Sequence, residues 1–473
     1  MSRSGPQWDL RTRPVVTLVG CFILWKSLLL LVAYAAPGSG YDSSTTLVSH
    51  ARPPAEEVEL AHSTCCGLTT LGEKLTRWDA IYFIAVAQRG YRYEQEWAFG
   101  WGFTTMLAIL SRGWRLARVK LWSGQEALDG TEAAIVVGIW LAHAAHLVSV
   151  LLLYKLSQVV IEPSLGPLVP LVAALLHIIS PAGVFLSAPY TESLYSCLSF
   201  LGYLFYAWSL QAHQARQGLR RDVSVLMAGL IFGLATTIRS NGLFNGLPLL
   251  YDALWILWRV AHLQSVEFAR LATLGVSGAL VAAGFVVPQW LAYDVYCIGW
   301  SQTSASFPPW CTRLLPSIYT WVQDHYWHVG FLRYWTMGNL PLFVLAAPML
   351  AIMSVVAMRG IQGTLLSAMA TSWDLPSSTG SPARRVSRDI LRRLSMPQLL
   401  VAALALTSFH VQVITRLSSG YPVWYWWLAS AVCTRQRIKV GGWEWDISKW
   451  TVRWMVMYAV VQGGLFASFL PPA

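Results

Sequence analysis

The stretch VVTLVGCFILWKSLLLLVAYAA, residues 15–36, is apolar except for the single charge of Lys26. A helix needs about 20 such residues to cross the roughly 30 Å of hydrocarbon in a bilayer. Three arginines lie among the first 13 residues, as expected for a flank that stays in the cytosol. Residues 33–35 resemble a signal-peptidase site, but the apolar run is long for a signal peptide. We therefore predict a retained membrane anchor.

Similar apolar runs recur along the chain and indicate the class of protein. Of 473 residues, 55% are hydrophobic and 12% are charged, against about 25% charged in a soluble domain. In hydrocarbon only helices or closed barrels satisfy their backbone groups, and these runs are too long for barrel strands. We predict an all-α polytopic membrane protein, a bundle of about eleven transmembrane helices. The ten further spans are Ala134–Tyr154, Leu165–Leu186, Ser193–Leu210, Ser224–Ile238, Leu243–Trp258, Ala272–Ala292, Phe331–Met358, Gln398–Thr415, Tyr421–Val432 and Thr451–Phe469.

Charged loops set the orientation and divide the chain into regions. The basic residues behind the net charge of +11 flank the spans, as topology signals do, which argues against a nucleic-acid partner. Within the first outside loop, Leu60–Trp122 is predicted to form short amphipathic helices lying on the bundle. The regions are a cytosolic tail with the first anchor (1–36), a first outside loop (37–133), a transmembrane core containing a second outside loop at 293–330 (134–358), a flexible basic cytosolic linker (359–395) and C-terminal transmembrane helices (396–473).

Polar and aromatic residues gather in the loops that this orientation places outside. The first loop carries Arg77-Trp78-Asp79-Ala80-Ile81-Tyr82-Phe83, which sets a carboxylate among aromatic rings. Sugar rings stack on aromatic faces, and their hydroxyl groups need planar, bidentate partners. One membrane face rich in both suggests a carbohydrate site, with Asp79 near its chemistry. The candidates for substrate binding are Trp78, Glu94, Glu96, Glu192, Arg239, Asn241, Gln323, His325 and Arg416.

Several of these residues also have a plain structural interpretation, and both interpretations stay open at this point. Asp79 suits the N-cap of a helix, and Glu192 could cap the helix that follows it. Arg239 could be an interfacial anchor at a helix end. Glu94 and Glu96 could simply be solvated loop acids.

Cysteines and histidines give weaker signals. Cys297 and Cys311 share one outside loop and would bridge in an oxidising compartment, so both the paired and the free state stay open. Two histidine pairs have a spacing of three residues but lack a third ligand at metal spacing, so no metal site is predicted. These pairs are His143 with His146 and His325 with His328.

Seven segments, in order along the chain, carry a resemblance to a known family. They are Arg77–Phe83 with Gly90–Phe99, Ser180–Ser193, Arg239–Gly242, Pro288–Cys297, Trp310–Cys311, Tyr319–Leu340, and His410–Ser418 with Trp424–Trp427. Together they resemble the GPI mannosyltransferase II family, of the PIG-V type, among the GT-C membrane glycosyltransferases. One such segment would be weak evidence, but the ordered set is specific.

The resemblance implies a reaction and a compartment. Such enzymes transfer mannose from dolichyl-phosphate-mannose to the first mannose of a GPI lipid precursor, through an α-1,6 link, at the lumenal face of the endoplasmic reticulum. It therefore implies a multi-pass protein of that membrane with a GT-C-like bundle, lumenal loop helices, lipid substrates and no cofactor. A small accessory membrane subunit and any dependence on metal are left open.

The implied chemistry assigns roles to three candidates. The sugar–phosphate bond of the donor is β and the product is α, so one in-line displacement through an oxocarbenium-like transition state suffices. The attacking hydroxyl needs a carboxylate to take its proton, and we assign this base to Asp79. Arginine suits the phosphate because of its planar fork. Arg239 and Arg416 are the candidates for that role.

Two other classes of protein stay open. A lipid or solute transporter would show repeated halves and polar sites near the middle of the membrane, whereas these motifs lie at one face. A non-catalytic subunit of a membrane glycosylation complex would tolerate loss of Asp79. Lys26 and Asp252 lie within predicted spans, where charges are functional candidates by default, although snorkelling or mutual pairing would also explain them.

Overall fold

The computed structural model describes most of the chain, mainly as helices. The described residues are 13–38, 66–121, 130–262, 268–298, 308–370, 382–435, 437–440 and 443–470. Parts of every predicted region therefore lie outside them. These parts are the tail 1–12, residues 39–65 and 122–129 of the first loop, residues 263–267 of the transmembrane core, residues 299–307 of the second loop, residues 371–381 of the linker, and residues 436, 441–442 and 471–473.

Helices follow one another along the described chain with short connections. The α-helices are α1 (Pro14–Ala35), α2 (Cys66–Leu75), α3 (Asp79–Arg89), α4 (Trp101–Leu121), α5 (Gly130–Val160), α6 (Glu162–Leu165), α7 (Leu168–Ile178), α8 (Glu192–Gln214), α9 (Gly218–Ile238), α10 (Leu247–Ala261), α11 (Phe268–Tyr293), α12 (Ile318–His325), α13 (Leu340–Ile361), α14 (Leu365–Ala370), α15 (Pro382–Thr407), α16 (Ile414–Leu417), α17 (Pro422–Thr434) and α18 (Ile447–Ala467). Strands β1 (Arg437–Val440) and β2 (Trp443–Asp446) pair antiparallel, with Arg437 opposite Asp446.

Six of the described helical segments are both long and apolar enough to cross a bilayer. They are Pro14–Ala35, Gly130–Val160, Gly218–Ile238, Phe268–Ile298, Met337–Ile361 and Pro382–Thr407. Helices α8 and α18 are of similar length, whereas α7, α10 and α17 have 11, 15 and 13 residues. A helix lies in each of the eleven predicted spans, and α2–α4 lie in the first loop. The helical membrane fold is confirmed, apart from the β1–β2 hairpin, while the number of crossings stays a prediction.

The predicted span Leu165–Leu186 is only partly α-helical. Helix α7 ends at Ile178, because Pro181 has no backbone N–H to continue the helix and disfavours helical geometry in the residue before it. The chain then turns through the 3₁₀ segment Gly183–Leu186, and every residue of this segment is buried. Non-helical backbone at membrane depth is stable only where the protein itself surrounds it. Its own backbone supplies part of its hydrogen bonds, such as Phe185 N–H to the Ala182 carbonyl, and side chains of neighbouring helices supply further donors.

The predicted flexible linker 359–395 is wrong for its last fourteen residues, which belong to α15. Pro382 begins this helix, and proline is favoured in the first helical turn. The many arginines lower the mean hydropathy and obscure an amphipathic pattern, so the span predicted from residue 398 starts too late. The inner face of this part of the helix is set by three buried side chains, those of Ile390, Leu391 and Leu394.

Small residues let two central helices approach each other closely. A Cβ atom at Gly233 of α9 would lie 2.5 Å from the carbonyl oxygen of Leu280 on α11. A Cβ atom at Gly284 would collide with the carbonyl of Gly233. Close backbone contact through glycine is a common way to join membrane helices. The contact fixes α9, and Arg239 directly follows the end of that helix.

Asp252 and Lys26, the charges predicted within spans, have separate partners. Asp252 on α10 is buried and accepts hydrogen bonds from Arg393 Nε and from the Tyr206 hydroxyl, both at 2.9 Å. The Arg393 guanidinium also lies 5.2 Å from the centroid of the Tyr251 ring. Lys26 on α1 donates to Leu186 and Ser187 in the segment after α7, residues 179–191. Mutual pairing of Lys26 with Asp252 is therefore wrong, and the Asp252–Arg393 pair joins α10 to α15.

Replacement of Asp252 by alanine should destabilise the protein, because Arg393 would keep its charge without its carboxylate. Breaking a buried ion pair from one side costs about 3–5 kcal/mol. We expect a lower midpoint of thermal unfolding in detergent for Asp252→Ala, and partial recovery when Arg393→Met is added. Asp222→Ala is the control, since that carboxylate is 24% exposed and pairs with its neighbour Arg221. Equal midpoints for Asp252→Ala and the unsubstituted protein would contradict the prediction.

Candidate active site

A buried carboxylate lies between two arginines at one end of the bundle. Glu192 is the first residue of α8, and its side chain is 1% exposed. Its Oε1 lies 2.7 Å from Arg239 Nη1 and 2.7 Å from Arg416 Nη2, and it accepts from Arg416 Nε at 2.8 Å. Arg239 Nη1 also donates to the Thr191 hydroxyl at 2.8 Å. Thr191 occupies the N-cap position of α8, so the alternative that Glu192 is that cap is wrong.

Arg416 extends this set of charges to Asp79. Its Nη2 and Nη1 lie 3.3 and 3.4 Å from Asp79 Oδ2, farther than its bonds to Glu192. The Asp79 side chain is 39% exposed and that of Arg416 is 16% exposed. Burial opposes the guanidinium charge, but the carboxylates of Glu192 and Asp79 outweigh it and raise the pKa of Arg416. Four charges of alternating sign thus form what we call the charge row: Asp79, Arg416, Glu192 and Arg239.

Two aromatic rings support the guanidinium of Arg416. It lies 4.2 Å from the centroid of the Phe185 ring and 5.0 Å from that of Tyr190. Such contacts stabilise a cation where water is scarce. The Tyr190 hydroxyl donates to the backbone carbonyl of Arg77 at 3.0 Å. The buried segment after α7 therefore touches both Arg416 and the backbone that leads to Asp79.

Trp78 holds Asp79 in place through an unusual backbone conformation. Its φ of 57° and ψ of −128° are costly for a residue with a side chain, and such geometry tends to occur at functional sites. Its ring packs against Phe469, with centroids 5.1 Å apart. Trp78 occupies the N-cap position and α3 begins at Asp79, so the N-cap interpretation of Asp79 is wrong. Within the described residues, the buried Trp78 Nε1 has no hydrogen-bond partner.

The turn after α9 connects Arg239 to two tyrosines. The Asn241 side chain is buried and donates to the Tyr421 hydroxyl at 3.2 Å. The Ser240 hydroxyl donates to that of Tyr319, at the start of α12, at 2.8 Å. The predicted loop around residues 319–328 therefore lies beside the charge row.

Glu94 belongs to a second cluster, which we call the Glu94 clamp. Its carboxylate accepts hydrogen bonds from Trp310 Nε1 at 2.8 Å, Trp321 Nε1 at 3.0 Å and the Tyr326 hydroxyl at 3.4 Å. Cys297 and Cys311 form a disulfide beside Trp310, with Cα atoms 5.7 Å apart. The clamp ties the first outside loop to the second. Glu94 is thus engaged by protein donors rather than being a solvated loop acid.

The remaining candidates lie away from the charge row. Glu96 is buried, pairs with Arg89 and accepts from the Arg92 backbone N–H at 2.8 Å, which is a structural role rather than solvation. His325 stacks on Trp321 of the clamp, with ring centroids 4.5 Å apart. Gln323 lies on the same short helix α12. No described hydrogen bond joins Gln323 or His325 to the charge row.

The sequence did not single out the aromatic support of Arg416. Phe185 fell at the end of a predicted span, and Tyr190 was one of many rings that an interfacial belt would explain equally well. Their only signal was their place in the same short segment as Glu192. In the part of the chain that the structure describes, no three His, Cys, Asp or Glu side chains are grouped to hold a metal ion.

A helical membrane bundle in which charged residues from four segments meet is compatible with a membrane-embedded glycosyltransferase, and comparison with known proteins assigns the chain to this class. The family model described as Mannosyltransferase (PIG-V) matches residues 15–473. The chain belongs to this PIG-V mannosyltransferase family and is a mannosyltransferase.

Curated relatives extend over nearly the whole chain. GPI mannosyltransferase 2 of Chaetomium globosum is 43% identical over 481 residues, which cover 98% of each chain. The proteins of the same name from Gibberella zeae and Aspergillus oryzae are 41% and 39% identical, over 98% and 97% of this chain and 99% and 96% of theirs. Among solved structures, the oligosaccharyltransferase AglB of Archaeoglobus fulgidus aligns with 99% of this chain and 57% of its own, at 11% identity and a TM-score of 0.47.

Replacement of Glu94 by alanine should loosen the second outside loop, because three donors lose their acceptor. Each buried donor left unsatisfied costs about 1–3 kcal/mol. We expect faster cleavage within residues 308–328 in limited proteolysis, together with lower transferase activity. Glu73→Ala, which removes an exposed acid on α2, is the control. Identical cleavage rates for the two variants would show that the clamp does not hold the loop.

Proposed function

We propose that the protein transfers mannose from dolichyl-phosphate-mannose to the first mannose of a GPI-anchor precursor and forms the α-1,6-linked second mannose. The observation that carries this proposal is the charge row, in which four separate segments meet. Membership of the PIG-V family and the printed names of the relatives support the substrates. The protein is a multi-pass membrane protein, and we place the reaction at the lumenal face of the endoplasmic reticulum membrane. A small accessory subunit stays a prediction.

The reaction is an inverting displacement at the anomeric carbon of the donor mannose. The 6-hydroxyl oxygen of the acceptor forms a bond to this carbon while the bond to the phosphate oxygen breaks. The acceptor proton passes to a carboxylate, and dolichyl phosphate leaves with the electron pair of the broken bond. Because the leaving phosphate is already a stable anion, no general acid is required. A single carboxylate base and a cationic phosphate site therefore suffice.

Asp79 is the carboxylate best placed to act as this base. It is more exposed than Glu192 and is held only by two long contacts to Arg416. Glu192 is buried and already shared by two guanidinium groups, so it is suited to fix them rather than to accept a proton. Their different surroundings thus suit Asp79 to act as the base and Glu192 to support the arginines.

Arg416 and Arg239 form the proposed phosphate site. Each keeps guanidinium N–H groups beyond those that bond Glu192, and planar guanidinium groups bind phosphate oxygens well. We expect the donor phosphate to replace Asp79 at Arg416, because that contact is the weaker of the two that Arg416 makes with carboxylates. Asp79 would then be released to face the acceptor hydroxyl.

Aromatic and polar residues near the charge row are proposed to hold the sugars. Trp78 presents a ring and an indole N–H next to Asp79, and Asn241 is joined to Tyr421 beside Arg239. Gln323 and His325 lie on α12, which Ser240 connects to the same turn through Tyr319. Glu94 and Glu96 are proposed to act indirectly on sugar binding, by fixing the shape of the loops that carry them.

Replacement of Asp79 by asparagine or alanine should lower mannose transfer by about 10²–10⁴-fold, because a base contributes roughly this factor. Purified enzyme or microsomes would receive labelled dolichyl-phosphate-mannose and a GPI precursor carrying one mannose, and the linkage of the product would be determined. Asp324→Asn is the control, since that carboxylate is exposed and pairs with Arg333. Undiminished transfer by the Asp79 variants at normal protein level would exclude this base. It would also reopen the assignment to a non-catalytic subunit.

Binding of dolichyl phosphate should distinguish the proposed base, Asp79, from the proposed phosphate ligand, Arg239. Asp79→Asn removes a negative charge that competes for Arg416, so we expect the Kd for dolichyl phosphate to stay equal or to fall. Arg239→Gln should raise that Kd at least about tenfold, the effect of losing one charge-assisted hydrogen bond of about 1.5–3 kcal/mol. Equilibrium binding to detergent-solubilised protein measures both. If the two substitutions weaken binding equally, Asp79 does not compete with the phosphate.

A further inference from the structure

Lys26 lies inside α1, where a charge is costly, and it is 4% exposed. Its Nζ donates to the Leu186 carbonyl at 2.7 Å and to the Ser187 hydroxyl at 2.8 Å. It also lies 5.6 Å from the centroid of the Phe22 ring. None of the described ion pairs includes it. Among the described residues, Lys26 therefore pairs with no acid, and both of its hydrogen bonds go to the segment after α7 rather than to the membrane surface.

That segment receives side-chain donors from two helices in addition to its own backbone hydrogen bonds. Helix α7 has 11 residues and so a length of about 16 Å, roughly half of the hydrocarbon thickness. The chain continues through the turn Gly183–Leu186 within the protein, and its carbonyl groups have no regular helical ladder. The Leu186 carbonyl accepts from Lys26 and also from the Ser193 hydroxyl at 3.1 Å. A lysine on a different helix thus completes the bonding of a broken segment.

The same segment is the support of the charge row. Phe185, which precedes the carbonyl that Lys26 binds, lies against the Arg416 guanidinium. Tyr190 contacts Arg416 and donates to the Arg77 carbonyl. Glu192, the first residue of α8 directly after this segment, holds both arginines. A shift of this turn would therefore move the groups that orient Arg416, and with them Asp79.

We infer that Lys26 is a positioning residue for mannosyl transfer. It touches no reacting group, but its Nζ holds the turn at Leu186 and Ser187, and through that turn it sets the orientation of Arg416 between Glu192 and Asp79. This inference rests on the proposed function. It assigns to the membrane anchor at residues 14–35 a part in the geometry of the active site.

Lys26→Met tests the inference, because methionine has a similar length and no donor. We expect kcat, per folded enzyme, to fall about 10–100-fold, while the KM for dolichyl-phosphate-mannose changes less than about threefold; the fall corresponds to about 1.4–2.8 kcal/mol. Lys26→Arg keeps N–H donors at this position and should recover most of the turnover. Ser27→Ala, on the lipid-exposed side of the same helix, is the control and should leave kcat unchanged.

Ser187→Ala provides a second test that does not depend on the folding of Lys26→Met. It removes one of the two acceptors, so we expect a smaller fall in kcat, and the double variant should be no slower than Lys26→Met alone. Contacting residues that act through one bond show such non-additivity. Full additivity, or unchanged turnover per folded molecule in Lys26→Met, would overturn the inference. Inactivity of the unsubstituted enzyme and of Ser27→Ala would instead overturn the proposed function and, with it, this inference.

Discussion

The carboxylate of Glu192 lies between two guanidinium groups that would otherwise repel each other. Arg239 follows α9 and Arg416 lies on α16, so this one side chain joins three parts of the bundle. In a region of low dielectric the attraction is strong, but removal of the carboxylate would leave two buried cations. The aromatic contacts of Arg416 and its reach to Asp79 both depend on this arrangement. The geometry of the charge row thus depends on a single buried acid.

The sequence was sufficient to name all four members of the charge row as candidates, but not their order. The predicted topology places the segments that carry Asp79, Glu192, Arg239 and Arg416 on one face, because an even number of predicted crossings separates each from the next. Which carboxylate pairs with which arginine depends on differences of about an ångström between side chains. Hydropathy and motif spacing contain no such information. The assignment of Asp79 as the exposed member therefore required the structure.

Other predictions failed because one sequence signal can have two physical causes. The arginines before residue 395 suggested a solvated linker, yet Ile390, Leu391 and Leu394 bury the other face of a helix. Acids in an aromatic loop suggested contact with a sugar or with water, yet Glu94 accepts bonds from three aromatic side chains. The sequence also did not reveal that α7 is short, because the buried turn after it is as apolar as a membrane helix.

The charge row joins residues that are distant in the chain, with a sequence separation of 337 from Asp79 to Arg416. During synthesis the nascent polypeptide therefore carries Asp79 long before Arg416 is translated. A ribosomal product that terminates before Arg416 contains Asp79 without the guanidinium that orients it. In the mechanism that we propose, mannosyl transfer therefore requires a polypeptide whose membrane insertion has reached the last quarter of the chain. A shortened polypeptide would thus lack the contact between Asp79 and Arg416.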